Sequence, residues 1–457
     1  MTEISIANRI ARHIVSDHEQ SPELLEWMHL LLLDYYAVTT GGLHRDSAVA
    51  ARAAIDTVNQ RTDAHPASIH GTPLWASAED AALVNGVTAH GLELDDTFEE
   101  SSLHPGVVIL SALLALADQR GSTAGEVLHA AIIGYDVTCN VGVLLGAAES
   151  YGRGFHPTGV AGVLGAAAGA AVLLDLTEEQ ATHAVSLAAN LAAGSLEFLS
   201  DGSWTKRLNA GHAAASGIRA AKLAAVGFTG PSAAIEGRDG FLVQYGHGVV
   251  PGRELSLNYG RGALDTSIKF YPCCRYMHGN IDLLRSIHNE LPDLTIDEIV
   301  SIDVGVIKAG ASLIAEPWAQ KLVVNTPVDA QFNMPFGAAV ALHTGQATVG
   351  QFDDAPRVAA ELMRWLEKVN CYTSDTLEEA FPASWQAEVR VRLTDGRDIE
   401  RSETAFRGSP GDRASRAQLI TKAASLLDED SAQTLADSIS AINLGAAYSG
   451  QVTVPAP

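Results

Sequence analysis

The chain has 457 residues, 47% of them hydrophobic and 18% charged, with a formal net charge of −24. The composition is globular and the length predicts two domains. So acidic a surface repels phosphate backbones and anionic bilayers, which argues against nucleic-acid and membrane partners; a small anionic substrate in a locally positive pocket remains compatible.

Taken in chain order, the first part reads as helix after helix. The opening MTEISIANRIARHIVSDHEQ predicts an amphipathic helix, not a signal peptide. Ser21 to Thr39 and Ala76 to His90 repeat apolar residues at helical spacing. Thr123-x-x-Glu126 and Thr177-x-x-Gln180 are capping boxes, predicting helices that end near Gly146 and Leu191. Between them, Pro157 to Leu174 is uncharged and rich in Ala and Gly, which predicts a buried core helix rather than a membrane span. A further Ala-rich helix is predicted from Gly211 to Val226, stopped by Gly227.

Residues 228–262 are dense in Gly and Pro and read as a connector. Beyond it the periodicity changes. Ile302, Val304 and Val306 alternate as in a half-buried strand, and Val389, Val391 and Leu393 lead into Asp395-Gly396, a hairpin signature. Helices are predicted at Pro335–Thr344, Arg357–Val369, Ser415–Leu427 and Ala432–Ile442. The expected fold is mainly α: a large all-α helical domain over residues 1–262 and a smaller α+β domain over 263–402. Residues 403–457 are expected to return to the first.

Four clusters carry chemistry. His90 to Thr97 crowds Glu93, Asp95 and Asp96, and carboxylates so close repel unless positive groups or hydrogen bonds compensate. One of the two aspartates, Asp95 or Asp96, reads better as a helix cap than as a catalytic group. His104-Pro105 and His156-Pro157 each precede an apolar run; with Pro in the first turn, each His falls beside a helix N-terminus, which favours anions. Lys206-Arg207 forms a basic pair in a chain with no earlier lysine. Lys269 to His278 sets Lys269, Arg275 and His278 beside aromatic residues and the vicinal Cys273-Cys274. The four cysteines form no CxxC pair and no zinc spacing, so a reduced, cytoplasmic protein without metal or other cofactor is expected.

These segments, GLELDDTFEESSLHPG, GFHPTGVAGVLGAAAGAA, TKRLNAGHAAASGIRAAKLAAVGFTGP with the later EGRDGF, IKFYPCCRYMH and DAQFNMPFGAA, resemble the MmgE/PrpD family over nearly the whole chain. That family includes 2-methylcitrate dehydratases, cis-aconitate decarboxylase and iminodisuccinate epimerase. The resemblance implies a helical domain joined from both chain ends, an inserted α+β domain, a homodimer, and no metal. It places Thr97, His104, His156, Lys206 and Lys269 at active-site positions, with Glu93 beside them. Glu93 stands where the decarboxylase pattern has Asp, Cys274 where it has His and Phe336 where it has Tyr. Loss of an imidazole and a phenol argues against decarboxylation.

The reading that follows is a hydro-lyase of the 2-methylcitrate dehydratase kind, with an epimerase or a non-catalytic binding protein as alternatives. His104, His156, Lys206, Thr97 and Glu93 are the expected catalytic residues. Lys269, Arg207, Cys274, Arg275, His278, Asp95 and Asp96 are expected to hold a small polycarboxylate. A rival reading takes Asp95-Asp96-Thr97-Phe98-Glu99 as the DDxxE pattern of Mg²⁺-dependent terpene synthases.

Overall fold

A computed structural model describes residues 4–455. The first part runs α1 (Ile6–Val15), α2 (Pro22–Gly42), α3 (Asp46–Ala53), the short antiparallel pair β1 (Ala67–Ser68) and β2 (Trp75–Ala76), and α4 (Ala78–Ala89). After β3 (Thr97–Phe98) come α5 (Pro105–Arg120), α6 (Ala124–Leu145), α7 (Ala147–Gly152), α8 (Pro157–Leu173), α9 (Glu178–Asn190) and α10 (Thr205–Ala225). The connector contains α11 (Phe241–Tyr245) and ends in α12 (Arg261–Leu264) and β4 (Thr266–Ser267).

Local chemistry explains the boundaries. Both halves of the Thr123 and Thr177 capping boxes are made, closing the N-termini of α6 and α9. Helix α8 is sheathed by α5, α6, α9 and α10 and is buried along almost its whole length. Its Ala and Gly residues let neighbouring backbones come close. The same device joins α4 to α10, where a Cβ on Gly86 would lie 2.7 Å from the Gly211 Cα. Helix α6 is long and apolar enough to cross a membrane, but 83% of its most apolar window is buried in this core. The sequence drew notice instead to the shorter run at α8.

The second part begins with α13 (His278–Glu290), β5 (Ile299–Val306), α14 (Lys308–Ile314), α15 (Trp318–Lys321), α16 (Pro327–Gln331) and α17 (Met334–Thr344). It continues through α18 (Val349–Asp353), α19 (Ala355–Glu361), α20 (Met363–Leu366), β6 (Val369–Thr373), α21 (Asp375–Ala380), β7 (Ala387–Leu393) and β8 (Asp398–Glu403). The strands form one mixed sheet in the order β6-β5-β7-β8, with β5 and β6 parallel and the other pairs antiparallel. Alternate β7 residues, Ala387, Val389, Val391 and Leu393, face a second hydrophobic core with α13 and α17. The chain closes with α22 (Arg416–Leu426) and α23 (Glu429–Ser440), which pack on α2 and add Leu419, Leu435 and Ile439 to the first core.

Two expectations are corrected. The single helix expected over 357–369 is broken at Leu362, and its last residue, Val369, opens β6 opposite Ile302. Pairing with the sheet edge overrides helical periodicity there. Helix α10 begins at Thr205 rather than Gly211, which places Lys206 in its first turn.

Candidate active site

The site is built where α4 ends. A 3₁₀ turn over His90–Leu92 leads to Glu93 in the left-handed region, φ 55° and ψ 33°. That conformation costs a non-glycine residue about 1–2 kcal/mol and persists only where its surroundings fix it. Here they do. Lys269 donates both to the Glu93 carbonyl at 3.0 Å and to its Oε1 at 2.9 Å, and Lys206 pairs with Oε2. Lys206 arrives because α10 crosses α4 at the glycine contact. Lys269 arrives because β3 pairs antiparallel with β4, Thr97 opposite Ser267.

His104 and His156 are the N-cap residues of α5 and α8, each followed by proline at the first helical position. Neither side chain caps its own helix, so both imidazoles are free to face the space between. Their ring centroids are 6.5 Å apart. His90, which the sequence reading passed over, sits between them, 4.6 Å from the His104 ring and nearly parallel to His156 at 5.9 Å. The left-handed turn brings Asp95 back onto His90, with both carboxylate oxygens 2.9 Å from Nδ1. Asp95 Oδ2 also lies 3.0 Å from His104 Nδ1, off the line of a good hydrogen bond. His90, Asp95 and His104 thus bring three metal-ligand-type atoms within 4.8 Å of one another. The spacing of Asp95 to His90 is that of a hydrogen bond, whereas its approach to His104 is electrostatic.

Glu93, Thr97, His104, His156, Lys206, Cys274 and Arg275 line a common cavity of about 30 Å³. Lys269 supports its wall through Glu93 and is fully buried. Four expected ligand-binding residues lie elsewhere. Arg207 projects toward Ser47, because neighbouring residues on a helix diverge by about 100° and Lys206 takes the inward direction. Asp95 stands behind the imidazoles. Asp96 accepts from the Gly106 N–H at 2.9 Å and the Tyr135 hydroxyl at 2.7 Å, serving the start of α5. His278 is buried behind the wall, facing Arg275 and the Cys273 carbonyl.

The DDxxE rival fails on the same geometry. Asp95 faces two imidazoles, Asp96 faces α5, and Glu99 pairs with Arg275 and Ser267, so the carboxylates diverge. Aromatic residues that the sequence did not single out complete the cavity: Tyr151, Phe198, Tyr276, Phe332 and Trp385. Tyr276 stacks on Trp385 at 4.3 Å, and its buried hydroxyl has no partner among the described residues; the same holds for Thr97 Oγ1. Its place inside IKFYPCCRYMH was the available signal.

Electrostatics set the protonation states. Burial works against a charge on Glu93, but Lys206 and Lys269 outweigh it and hold the carboxyl well below its usual range. Burial also pushes His104 down to about 3, helped by Lys269 and Lys206 and opposed by Asp95. His156 is driven well below its ordinary value by burial and then by Lys206. Both imidazoles are therefore uncharged at neutral pH. A base of this kind is lost only as pH falls towards its own low pKa, so kcat/KM is expected to show no acid limb near 6.5; pH–rate profiles check this. Stability behaves differently. The unfolded chain binds protons at the ordinary histidine value near 6.5, so each such histidine lowers stability by about 1.4 kcal/mol per pH unit as pH drops from 6.5 towards the folded-state value. Urea midpoints between pH 7 and pH 5, taken as round test values, should fall accordingly.

The start of α5 makes another test. A Cβ on Gly106 would meet Asp96 Oδ2 and the Tyr135 hydroxyl, each at 2.4 Å. Gly106→Ala is expected to destabilise by about 1–3 kcal/mol, the usual cost of overpacking, and to displace His104. Urea unfolding and kcat together would show both effects.

The MmgE/PrpD N-terminal domain matches residues 5–253 and the MmgE/PrpD C-terminal domain matches residues 271–444. The chain belongs to the MmgE/PrpD family. Among curated proteins, the cis-aconitate decarboxylase-like protein oryM of Aspergillus oryzae is 27% identical, over 83% of this chain and 81% of its own length. The cis-aconitate decarboxylase of Aspergillus terreus is 26% identical over 70% and 69%. The human cis-aconitate decarboxylase is 27% identical over 71% and 68%.

Membership in the MmgE/PrpD family gives the departures at Glu93, Cys274 and Phe336 a structural setting. Glu93 and Cys274 line the cavity. Phe336 does not: it is fully buried in the second core, edge-on to Phe352 at 5.2 Å. Its lost phenol therefore bears little on chemistry, and Tyr276 supplies a phenol from another element.

Proposed function

We propose that this MmgE/PrpD enzyme is a cofactor-independent hydro-lyase acting on a small polycarboxylic acid of the 2-methylcitrate kind. The observation that carries the reading is Glu93, whose carboxylate bridges two buried ammonium groups beside an uncharged imidazole. Two cations held in a desolvated pocket suit a carboxylate whose negative charge grows as the neighbouring carbon loses its proton. His104 Nε2, 3.6 Å from Glu93 Oε1, is the base in this proposal. The electron pair of the broken C–H bond becomes the new double bond as the hydroxyl on the next carbon departs. Lys206 gives that oxygen a proton, so it leaves as water, and the Thr97 hydroxyl orients it. The proton taken by His104 then passes through Glu93 to the Lys206 amine, which restores the neutral imidazole and the ammonium group. The cavity must widen to admit such an acid, since about 30 Å³ is the share of one water in the liquid.

A second reading is proton exchange by two bases, favoured by the two uncharged imidazoles 6.5 Å apart in one cavity. Decarboxylation is named for the relatives, but Cys274 brings a thiol where that pattern has an imidazole. Proton NMR of the purified protein with di- and tricarboxylates in deuterated water tests all three. Dehydration gives a new vinyl signal, or loss of the hydroxyl-bearing carbon's signals where the product has no vinyl proton. Epimerisation gives deuterium at the carbon beside the carboxylate, and decarboxylation gives a product one carbon shorter. If none of these signals grows with any acid that shifts the melt, the protein binds and does not turn over. The homodimer implied by the resemblance and the cytoplasmic setting expected from the composition belong to the same proposal; sedimentation tests the former.

A further inference from the structure

Lys269 reaches the catalytic wall, but the next two residues, Phe270 and Tyr271, line a separate cleft of about 460 Å³. Arg285 of α13 and Arg407, from the loop after β8, flank Tyr271 there, and Thr421 of α22 also lines the cleft. The Arg407 guanidinium lies 3.9 Å from the Phe270 ring centroid, and Arg285 and Arg407 each lie 5.5 Å from that of Tyr271. Both donate to the Tyr271 hydroxyl, at 2.6 Å from Arg285 and 3.4 Å from Arg407. Stacking and shared hydrogen bonds fix the two forks in place.

Their charges are not matched. Among the described residues Arg407 forms no ion pair, and its buried Nε has no hydrogen-bond partner. The carboxylate nearest Arg285 is Asp282, 4.0 Å away, and Asp282 also accepts from the Tyr271 hydroxyl. Lys422, the third cation of the cleft, is already paired with Asp34. Two fixed guanidinium groups thus share one carboxylate, in a chain whose net charge is −24. An excess positive charge kept in a concave, preorganised place is what an oxyanion binds, because the planar fork matches carboxylate and phosphate oxygens in pairs.

We propose that the cleft between Arg285, Arg407 and Thr421 is a second anion site, taking a small multivalent oxyanion distinct from the substrate in the catalytic cavity. Its occupant would be felt at the cavity through one covalent step and one hydrogen bond. Phe270 and Tyr271 follow Lys269 directly, and the Arg407 carbonyl accepts from Arg275, a cavity-lining residue, at 3.3 Å.

Calorimetric titration of the full chain with inorganic phosphate and, separately, with citrate tests the site without any need for turnover. Its failure therefore leaves the proposed reaction standing, and the reverse also holds. Wild type is expected to show a binding step with at least one probe, and which probe it is tells a phosphate source from a carboxylate one. Arg407→Gln should weaken that step about tenfold or more, a change of about 1.4 kcal/mol. Thr421→Glu, at an exposed helix position, should weaken it similarly by placing a carboxylate in the arginines' cleft without altering them. The Lys206→Met variant should keep it. The proposal is overturned if neither probe binds wild type, or if Arg407→Gln and Thr421→Glu both titrate as wild type does.

Discussion

Glu93→Gln is expected to abolish turnover and to destabilise the protein by about 3–5 kcal/mol, the usual cost of leaving a buried charge without its partner. Two ammonium groups are stranded at once. Lys206 and Lys269 are both buried, and Glu93 is the carboxylate both of them pair with. The substitution also weakens the grip that holds residue 93 in its left-handed conformation, since the Lys269 bond to the backbone carbonyl remains while the side-chain anchors lose their charge. Urea unfolding measures the first effect and kcat the second. Glu93→Asp separates charge from reach: it keeps the anion but shortens the arm by one methylene, towards the decarboxylase pattern. It should recover most of the stability while changing which acid is processed. A Glu93→Gln protein as stable as wild type would remove the ion-pair account of this site.

His104→Gln is expected to lower kcat by about 10²–10⁴-fold, the range general-base removal usually gives, with a much smaller effect on stability. The His104 ring makes no well-aligned hydrogen bond through Nδ1, and Asp95 keeps His90 as a partner when the ring is lost. His156→Ala is expected to abolish turnover too. Among the described residues its one side-chain hydrogen bond is a long one, 3.4 Å to Asn209, so its melt should shift by a few degrees at most. The pair also separates the two leading reactions. In the proposed dehydratase the proton leaves only as the hydroxyl departs, so a His156→Ala protein that does not turn over should exchange no substrate proton with deuterated water. In a two-base epimerase each variant should exchange it from one face only. Retention of wild-type kcat by either variant would take that imidazole out of the mechanism.

Glu93, Cys274 and Phe336 carry the contrast with the curated relatives, and the structure weights them unequally. Phe336 faces the second core, so Phe336→Tyr would bury a hydroxyl there, away from the cavity, and would not restore a catalytic phenol. Cys274 is on the cavity wall, close enough to Lys269, Glu93 and Lys206 to feel their charges. Exchange of Cys274 for His is therefore the substitution that bears on decarboxylation.

The amino-acid sequence determined whatever depends on neighbours a few residues apart. The capping boxes at Thr123 and Thr177, the His-Pro starts of α5 and α8, the hairpin at Asp395-Gly396 and the alternation in β5 and β7 are local, and all were legible. So was the family, because its signatures are contiguous. Tertiary structure decided which of the clustered residues share a cavity. Helix phase sent Lys206 inward and Arg207 outward, a single left-handed residue folded Asp95 onto His90 and His104, and β3 found β4 far along the chain to deliver Lys269. Phase, turn handedness and long-range pairing are fixed by packing between distant elements. Adjacency in sequence carries no record of them, so Asp96, Arg207 and His278 read as candidates and His90 and Tyr276 did not.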